Sequence, residues 1–557
     1  MQDVRPQNYR IHLIPDLDQF TFAGKLTLVV EAPTAIEALR LNILELDIKE
    51  CAVQKNSEWI DCKFGSNAEK EELQIHLPRK MDGAVRIQIR YDGQINDKMA
   101  GFYRSQYSHS GKSEFIAVTQ FEESDARRAF PCMDHPAKKA TFDICMDIDS
   151  DQVAISNAAI KEETPLDDEK KRVTFEQTPK MSTYLVFFGV GEFEFTRDTE
   201  DPRVRVATLP GMKPYAKFGL EFGRKALVFS EKYYGIPYPL PKMDLIAIPD
   251  FAFGAMENWG AITFRENLLL HYPEVTSKSG QERICEVIAH EIAHQWFGNL
   301  VTPVDWKYLW LNESFATYFG NGVVAHYYPQ WETWQQFLWG NTGSAMARDA
   351  LLENFAIEIP GGEHVVINVS TAPIIYSKGG SILRQVEGYI GPENFKHGLR
   401  HYLKTYQYAN AASQDLWNSL EKVSEQPIAN MMKSWIEQPG FPMISVQKQG
   451  NKLHLAQQRF TYLPADSDQQ WQLPIHIQFF SGASKTERIT FLMNSASHEI
   501  DFPEQADTYK VNDQQTGFYI VRYQDKDNQT ALGKCVADQS LSPEDRWGLQ
   551  NDLFSLC

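Results

Sequence analysis

The sequence predicts an α+β protein of several domains, in which two β-rich regions flank a helical middle. Its 557 residues suit three to four domains at about 150 residues each. Apolar and polar residues alternate through the first 195 residues, and this alternation returns after the Pro/Gly-containing segment 437–442. A composition that is 43% hydrophobic and 23% charged is typical of a globular chain and excludes a disordered one.

The N-terminal region, residues 1–195, is predicted to be an antiparallel β domain. Two of its runs place apolar residues at every second position: Leu73, Ile75 and Leu77, then Val85, Ile87, Ile89 and Tyr91. Because side chains alternate between the faces of a strand, each run is expected to bury one face. A further strand-like run, YLVFFGVGEFEF, ends this domain.

Longer helical segments rich in Trp and Tyr define a second domain, residues 196–440. The runs QLPIHIQFF, RITFL, HEIDF and GFYIVRY predict a small β-sandwich over residues 441–528. Ser542 and Pro543 then mark a helix start within the last segment, 529–557. Two interpretations of that helix stay open: a frayed terminal helix, or the beginning of a further helical domain that the chain truncates.

Charge and cysteine content limit the partners and the compartment. A net charge of −18 argues against nucleic acid or an anionic membrane as the main partner. The seven cysteines form no CxxC pair, so no disulfide framework or cysteine zinc site is expected. Since the sequence contains neither an apolar run long enough to span a membrane nor a signal-peptide core, we expect a cytoplasmic protein; export is disfavoured.

The strongest motif is VIAHEIAHQWFGNLVT, residues 287–302. His290 and His294 are four residues apart, so on a helix both imidazoles share one face and can bind one ion. Glu291 projects close to that ion without being a natural ligand. This HExxH pattern is typical of a zinc hydrolase whose glutamate is the general base.

A catalytic zinc ion needs a third protein ligand and an open position for water. Glu313 follows His294 after 18 intervening residues, within the helically spaced segment WLNESFATYFGNGV. Gly298 and Pro303 interrupt the chain between them, which allows a second helix to fold back on the first. We therefore expect one Zn²⁺ per chain, because two imidazoles and a carboxylate suit zinc better than Ca²⁺ or Mg²⁺.

A second motif lies upstream, in FAFGAMENWGAITFRENLLL, residues 251–270. Gly254 allows close approach of a backbone, and AITFRE has the pattern of a strand. A strand at the edge of a cleft can bind an extended peptide through main-chain hydrogen bonds. Glu257 would then place a carboxylate beside the end of that peptide, where it can recognise an α-ammonium group. Taken alone, Glu257 is more consistent with an ordinary strand acid than with a substrate-binding residue.

GAMEN at 254–258, followed by HExxH and the spaced glutamate, resembles the M1 family of zinc aminopeptidases, which belong to the gluzincins. The resemblance extends to PQNYRIHLIPDL, to TQFEESDARRAFPCMDHP and to TGFYIVRY, and so covers most of the chain. It implies a thermolysin-like α/β catalytic domain over 196–440. It also implies that four-domain members continue with a long helical domain, of which 529–557 would be the beginning.

The resemblance also implies roles for individual positions. Glu257 would bind the free α-amine with help from Glu122, Glu291 would be the base, and Tyr376 of PIIYSKGG would stabilise the oxyanion. The implied zinc ligands are His290, His294 and Glu313. The implied substrate-binding residues are Gln120, Phe253, Gly254, Ala255, Met256 and Asn258. From the residues alone, Tyr376 would be an ordinary core aromatic and Glu122 a surface acid.

One departure from the family pattern lies beside the proposed ligands. Ser314 follows Glu313 where the family commonly has glycine, and we expect this change to affect local packing only. The sequence thus predicts a zinc aminopeptidase that acts on peptides with a free N-terminus, without indicating which N-terminal residue is preferred.

Three alternative functions fit the sequence less well. A metallo-endopeptidase would be obstructed by the amine-binding carboxylates. A bifunctional epoxide hydrolase typically has two glycines where this chain has Gly254 and Ala255. A catalytically silent binding protein would have no use for Glu291 as a base.

Overall fold

The structure is a computed structural model that describes residues 4–166, 169–359 and 367–557. The chain divides into two compact units. The first unit extends to Asp305 and also includes Tyr406–Asn410, and the second contains Trp306–Thr405 and Ala411–Cys557.

The first unit begins with two β-sheets. Their strands, in chain order, are β1 (Arg5–Asp16), β2 (Thr21–Asn42), β3 (Asp47–Lys55), β4 (Glu58–Asp61), β5 (Lys63–Asn67), β6 (Glu72–Gln94), β7 (Gly101–His109), β8 (Lys112–Gln120), β9 (Thr141–Asp149), β10 (Val153–Ser156), β11 (Ile160–Pro165), β12 (Lys170–Phe175) and β13 (Phe188–Gly191). The larger sheet has the order β11-β12-β9-β1-β2-β6-β3-β4, with β5 beside β6. The smaller sheet has the order β10-β13-β8-β7.

The predicted β-rich N-terminal region is confirmed, and every alternating apolar residue named above in β6 is buried. The antiparallel description holds for these pairs except one, since β1 and β9 run parallel. A parallel pair needs a long connection, and the strands between β1 and β9 provide it. The run YLVFFGVGEFEF is not one strand: a 3₁₀ turn, Thr183–Leu185, precedes β13. Residues 184–188 of this run are all buried, so burial does not alternate along them. Hydrophobic periodicity alone therefore cannot assign their secondary structure.

The rest of the first unit combines a mixed sheet with two helices. These elements are β14 (Glu194–Arg197), β15 (Val204–Thr208), α1 (Lys217–Tyr234), β16 (Met243–Ile248), β17 (Ala255–Met256), β18 (Ala261–Arg265), α2 (Lys278–His294) and the short β19 (Thr302–Pro303). The sheet order is β14-β15-β16-β18-β17, which leaves β17 at an edge. Helices α1 and α2 pack against each other, and α2 also contacts β17.

The second unit begins with helices. They are α3 (Trp310–Tyr327), α4 (Thr333–Phe337), α5 (Gly343–Asp349), α6 (Gly379–Ile390), α7 (Pro392–Tyr406), α8 (Ser413–Ser424) and α9 (Ile428–Ile436). Between α7 and α8 lies the short strand β20 (Asn410–Ala411); the last residue of α7 and the first residue of β20 belong to the first unit. A π-helical turn, Pro373–Lys378, leads directly into α6. Helix α3 packs against α6 and against this turn. Trp310 stacks on Trp417 with ring centroids 5.3 Å apart, which joins α3 to α8.

The second unit ends with two further sheets and two helices. The strands are β21 (Pro442–Gln449), β22 (Lys452–Arg459), β23 (Leu473–Ser481), β24 (Ser484–Met493), β25 (Ser497–Asp501), β26 (Thr508–Val511) and β27 (Ile520–Tyr523), and the helices are α10 (Lys526–Ala537) and α11 (Pro543–Ser555). The sheet orders are β25-β22-β21-β27 and β24-β23-β26, and Ser542 caps α11 as expected. The α+β fold class is thereby confirmed, while the domain boundaries at 195, 440 and 528 stay predictions.

Two observations concern the environment of the chain. Within the described ranges, none of the helices combines the length and the apolar character needed to cross a bilayer. All seven cysteines are free thiols.

Candidate functional site

Helix α2 places the HExxH motif by ordinary helical periodicity. Its first turn is capped by Ser277, whose Oγ accepts a hydrogen bond from the Gly280 N–H at 3.1 Å. A buried stripe of Ile284, Ile288 and Ile292 anchors one face in the core. The helix ends at His294, so the motif occupies its last turns.

The imidazoles of His290 and His294 converge. Their Nε2 atoms are 3.1 Å apart. His294 Nδ1 lies 3.1 Å from the Phe297 carbonyl oxygen. Because that oxygen only accepts, Nδ1 holds the proton in the neutral ring, and Nε2 then carries the lone pair that can bind a cation. A backbone carbonyl that fixes the tautomer in this way is typical of metal-binding histidines.

Two carboxylates lie next to His294. The ligand atoms of Glu257, Glu291 and His294 all lie within 4.8 Å of one another, and all three side chains are buried. Glu257 Oε1 is 3.9 Å from His294 Nδ1. Since burying negative charge is costly unless a cation or a proton compensates it, this arrangement suits a bound cation. Both a metal ion and an ammonium group meet that requirement.

The segment that contains Glu257 is held by backbone pairing and by side chains that follow the histidines. Strand β17 pairs antiparallel with β18, and the Gly254 carbonyl accepts the Arg265 N–H at 2.9 Å. The Glu257 carbonyl accepts hydrogen bonds from Gln295 Nε2 at 3.1 Å and from Asn299 Nδ2 at 2.9 Å. Sequence reasoning missed these two amides; their signal was two polar residues among apolar ones directly after HExxH.

A buried lysine fixes the turn after GAMEN. Lys242 Nζ donates to the Gly260 carbonyl at 2.7 Å and pairs with Asp244 at 2.8 Å. Burial lowers the pKa of the Lys242 ammonium, and the Asp244 carboxylate opposes that shift. Gly260 has a φ of +78°, and a Cβ there would lie 2.4 Å from the Asn157 carbonyl oxygen. Only glycine therefore fits this turn without strain.

The other substrate positions predicted in the first unit differ in exposure. Within GAMEN, Met256 and Asn258 are buried, and Asn258 Nδ2 donates to Thr263 Oγ1 at 3.2 Å. The exposed or half-buried residues are Glu122, Phe253, Gly254 and Ala255. Gln120, the last residue of β8, is buried, and among the described residues neither of its amide atoms has a hydrogen-bond partner. Such an amide is available to a ligand.

Glu313 and Tyr376 belong to the second unit. Glu313 lies in the first turn of α3 and is buried. A carboxylate at this end of a helix is stabilised by the helix dipole. Tyr376 is half-buried on the π-helical turn that precedes α6. π-Helical turns occur frequently at functional sites.

The comparisons with known proteins define the class of this chain. The Peptidase family M1 domain matches residues 218–435, and the Peptidase M1 N-terminal domain matches residues 5–185. Together these two models cover most of the sequence, and the chain belongs to peptidase family M1.

Several curated relatives are similar over nearly the whole chain. Aminopeptidase M1-A of Oryza sativa subsp. japonica is 38% identical over 99% of this chain and 64% of that protein. Probable aminopeptidase 2 of Sulfurisphaera tokodaii is 38% identical over 98% of this chain and 66% of that protein. Puromycin-sensitive aminopeptidase of Caenorhabditis elegans is 38% identical over 99% of this chain and 60% of that protein. The chain thus spans between 60% and 66% of the length of these relatives.

Proposed function

We propose that this chain is a zinc-dependent aminopeptidase that removes the N-terminal residue of peptides with a free amino group. The observation on which the proposal depends is the convergence of the His290 and His294 imidazoles beside two buried carboxylates, Glu291 and Glu257. Membership of peptidase family M1 and the aminopeptidase names of the relatives support the same reaction.

His290, His294 and Glu313 are the proposed ligands of one zinc ion. The fit rests on the chemistry of the donors: two neutral imidazole nitrogens and one carboxylate are a ligand set that zinc prefers in catalytic sites. The 18-residue spacing between His294 and Glu313 and the burial of Glu313 support this assignment. When bound, the zinc ion polarises the peptide carbonyl and lowers the pKa of a bound water to about 7.

Glu291 is the proposed general base. Glu291 directly follows His290 on α2, and its buried carboxylate has an oxygen within 4.8 Å of a His294 ring nitrogen, which supports a base beside the proposed ligands. Glu291 accepts the proton of the attacking water and returns it to the leaving nitrogen. The phenolic O–H of Tyr376 donates a hydrogen bond to the oxyanion that develops on the peptide carbonyl. A single donor of this kind typically contributes a factor of about 10²–10³ to kcat.

Glu257 and Glu122 restrict the reaction to the first peptide bond. Their carboxylates bind the α-ammonium group of the substrate, and its position relative to the histidines fixes which carbonyl is attacked. Gly254 and Ala255 present a half-buried strand edge to the peptide, while the buried Met256 and Asn258 shape that strand. Gln120 and Phe253 are the proposed lining of the pocket for the first side chain.

We also propose the domain division and the compartment predicted from the sequence. The divisions are an N-terminal β domain (1–195), a zinc catalytic domain (196–440), a β-sandwich (441–528) and a helical segment (529–557). The free thiols of all seven cysteines support a reducing compartment such as the cytoplasm.

The test is hydrolysis of the aminomethylcoumarin derivatives of Ala, Leu, Met and Arg, with N-acetylated versions as controls. Zinc content is measured before and after treatment with a chelator. We expect release from free-amine substrates only, loss of release when zinc is removed, and recovery on adding zinc. Equal cleavage of acetylated substrates would contradict the aminopeptidase assignment. An absence of cleavage by the zinc-loaded chain would contradict the proposal that this chain is itself an active enzyme.

A further inference from the structure

Ser314 joins the two functional segments of the second unit. It directly follows Glu313 on α3 and is fully buried. Its Oγ donates a hydrogen bond to the Ile375 carbonyl oxygen at 2.6 Å. Ile375 directly precedes Tyr376 on the π-helical turn, so a single side chain connects the backbone beside Glu313 with the backbone beside Tyr376.

The close approach of α3 and α6 holds this hydroxyl in place. A Cβ at Gly379 would lie 1.8 Å from Ser314 Oγ, and a Cβ at Gly380 would lie 3.6 Å from the Ser314 carbonyl oxygen. Any larger residue at Gly379 would therefore displace Ser314. Because the glycine leaves room only for the serine, the hydroxyl has little freedom to leave the Ile375 carbonyl.

The hydrogen bond falls at the irregular part of the turn. The Gly379 N–H donates to the Ile374 and Tyr376 carbonyls, and the Ile375 carbonyl between them accepts the Ser314 hydroxyl. A π-helical turn has poorer internal geometry than an α-helix, so external hydrogen bonds contribute more to fixing its backbone. Loss of the Ser314 donor would leave the backbone on the N-terminal side of Tyr376 less constrained.

We propose that Ser314 is a positioning residue, which holds Tyr376 at a fixed place relative to the segment that contains Glu313. This inference rests on the proposed function of those two residues. It also revises the expectation that the serine after Glu313 affects local packing only. Ser314 contacts the turn rather than the substrate and acts on the reaction through the Tyr376 hydroxyl.

The far end of the turn has an independent anchor, so a change at Ser314 should leave the fold intact. Lys378 Nζ lies 2.8 Å from Asp349 Oδ2, and both side chains are buried. The same amine donates to the Gly440 carbonyl at 3.0 Å. Removing the Ser314 hydroxyl therefore loosens the middle of the turn while its end stays attached.

The first experiment is a double-mutant cycle of Ser314→Ala and Tyr376→Phe, measured as kcat and KM on a free-amine coumarin substrate. A typical intramolecular hydrogen bond corresponds to a factor of about 3 to 10, so we expect Ser314→Ala to lower kcat by that factor with KM nearly unchanged. In the Tyr376→Phe background the same change should have no further effect. An undiminished kcat, or an equal loss in both backgrounds, would overturn the proposal.

Ser419→Ala is the matched control. Ser419 is also buried in the second unit, and its Oγ donates to the Asp415 carbonyl within α8 at 2.8 Å. The Ser419→Ala substitution removes a comparable hydrogen bond away from the turn, so its kcat should stay at the wild-type value. Ser314→Gly serves as a second variant, because it removes the same donor without adding volume.

The second experiment needs neither zinc nor activity. Hydrogen–deuterium exchange of the peptide covering 373–380 should be about 3- to 10-fold faster in Ser314→Ala than in wild type, and unchanged in Ser419→Ala. Unchanged exchange in Ser314→Ala would refute the proposal that the Ser314 hydroxyl constrains the turn. If the wild-type chain cleaves nothing while exchange responds as expected, the proposed function fails, but the constraint of the turn by Ser314 is supported.

Discussion

Helix α2 and the π-helical turn Pro373–Lys378 both present proposed catalytic side chains, and they do so in different ways. Helix α2 is 17 residues of regular helix with a capped start and a buried isoleucine stripe. The separation of His290 and His294 follows from its 3.6-residue period alone. The turn is six residues long and irregular, and Tyr376 takes its place from contacts with other segments. Catalytic geometry is therefore set locally in one region and by tertiary contacts in the other.

The two regions also differ in what anchors them. Helix α2 is anchored by apolar burial, which tolerates small displacements. The turn is anchored by polar contacts that depend on direction: the Lys378–Asp349 ion pair at 2.8 Å, and the Gly440 N–H donated to Asp349 Oδ1 at 2.9 Å. A buried ion pair is very sensitive to the loss of one partner, because the remaining charge is left uncompensated. Removing the ion pair at the end of the turn should therefore chiefly lower stability, whereas removing a proposed catalytic side chain of α2 should chiefly lower kcat.

The largest expected effect is that of Glu291→Gln on α2. The amide cannot accept a proton, so kcat should fall by about 10²–10⁴, the usual contribution of general acid–base catalysis. Zinc content should stay at the wild-type level, because the proposed ligands are His290, His294 and Glu313. The measurements are kcat on a free-amine coumarin substrate and metal per chain by mass spectrometry after dialysis.

His294→Gln is the control for this prediction, since loss of a ligand should remove the metal together with activity. The alternative is the cation group of Glu257, Glu291 and His294, whose ligand atoms lie within 4.8 Å of one another. Loss of zinc in Glu291→Gln would favour that group. It would also show that helical spacing alone had misassigned the ligands on α2.

The next largest effect concerns the turn. Lys378→Met should lower the free energy of unfolding by about 3–5 kcal/mol, because it leaves the Asp349 carboxylate buried without its cation. Lys452→Met is the matched control: Lys452 pairs with Glu499 at 3.3 Å, and both side chains are about half exposed. Such a pair contributes less than about 1 kcal/mol. Urea unfolding measures the change in free energy of unfolding for both variants. Equal changes in Lys378→Met and Lys452→Met would mean that the turn does not depend on its ion pair.

The same contrast explains how much of the site the sequence could predict. Spacing alone predicted that His290 and His294 share one side of a helix, and α2 confirms that helix. Alternation likewise predicted that one face of the runs in β6 is buried, and the burial of those apolar residues confirms it. Tyr376 and Glu122 entered the prediction only through the family resemblance, because an irregular turn and a loop have no period that would identify them.

Other contacts could not be predicted because they join segments far apart in the sequence. The Ser314 hydroxyl bonds to the carbonyl of a residue 61 positions away. The parallel pairing of β1 with β9 is of the same kind, since no local pattern distinguishes it from an antiparallel pair. Gln295 and Asn299 lie next to a recognised motif, yet their function is to bind the Glu257 carbonyl, which sequence spacing does not indicate.

The smallest expected effect is that of Ser277→Ala, at the start of α2. Losing the N-cap should lower the free energy of unfolding by about 1 kcal/mol, because the Gly280 N–H loses its acceptor. Because the proposed zinc ligands His290 and His294 lie near the other end of α2, kcat and zinc content should stay at wild-type values. Ser542→Ala, which removes the equivalent cap of α11, is the control for a cap loss away from the site. If Ser277→Ala lowered kcat as much as Ser314→Ala is expected to, the helix would depend on distant contacts as the turn does, and the contrast between the two regions would fail.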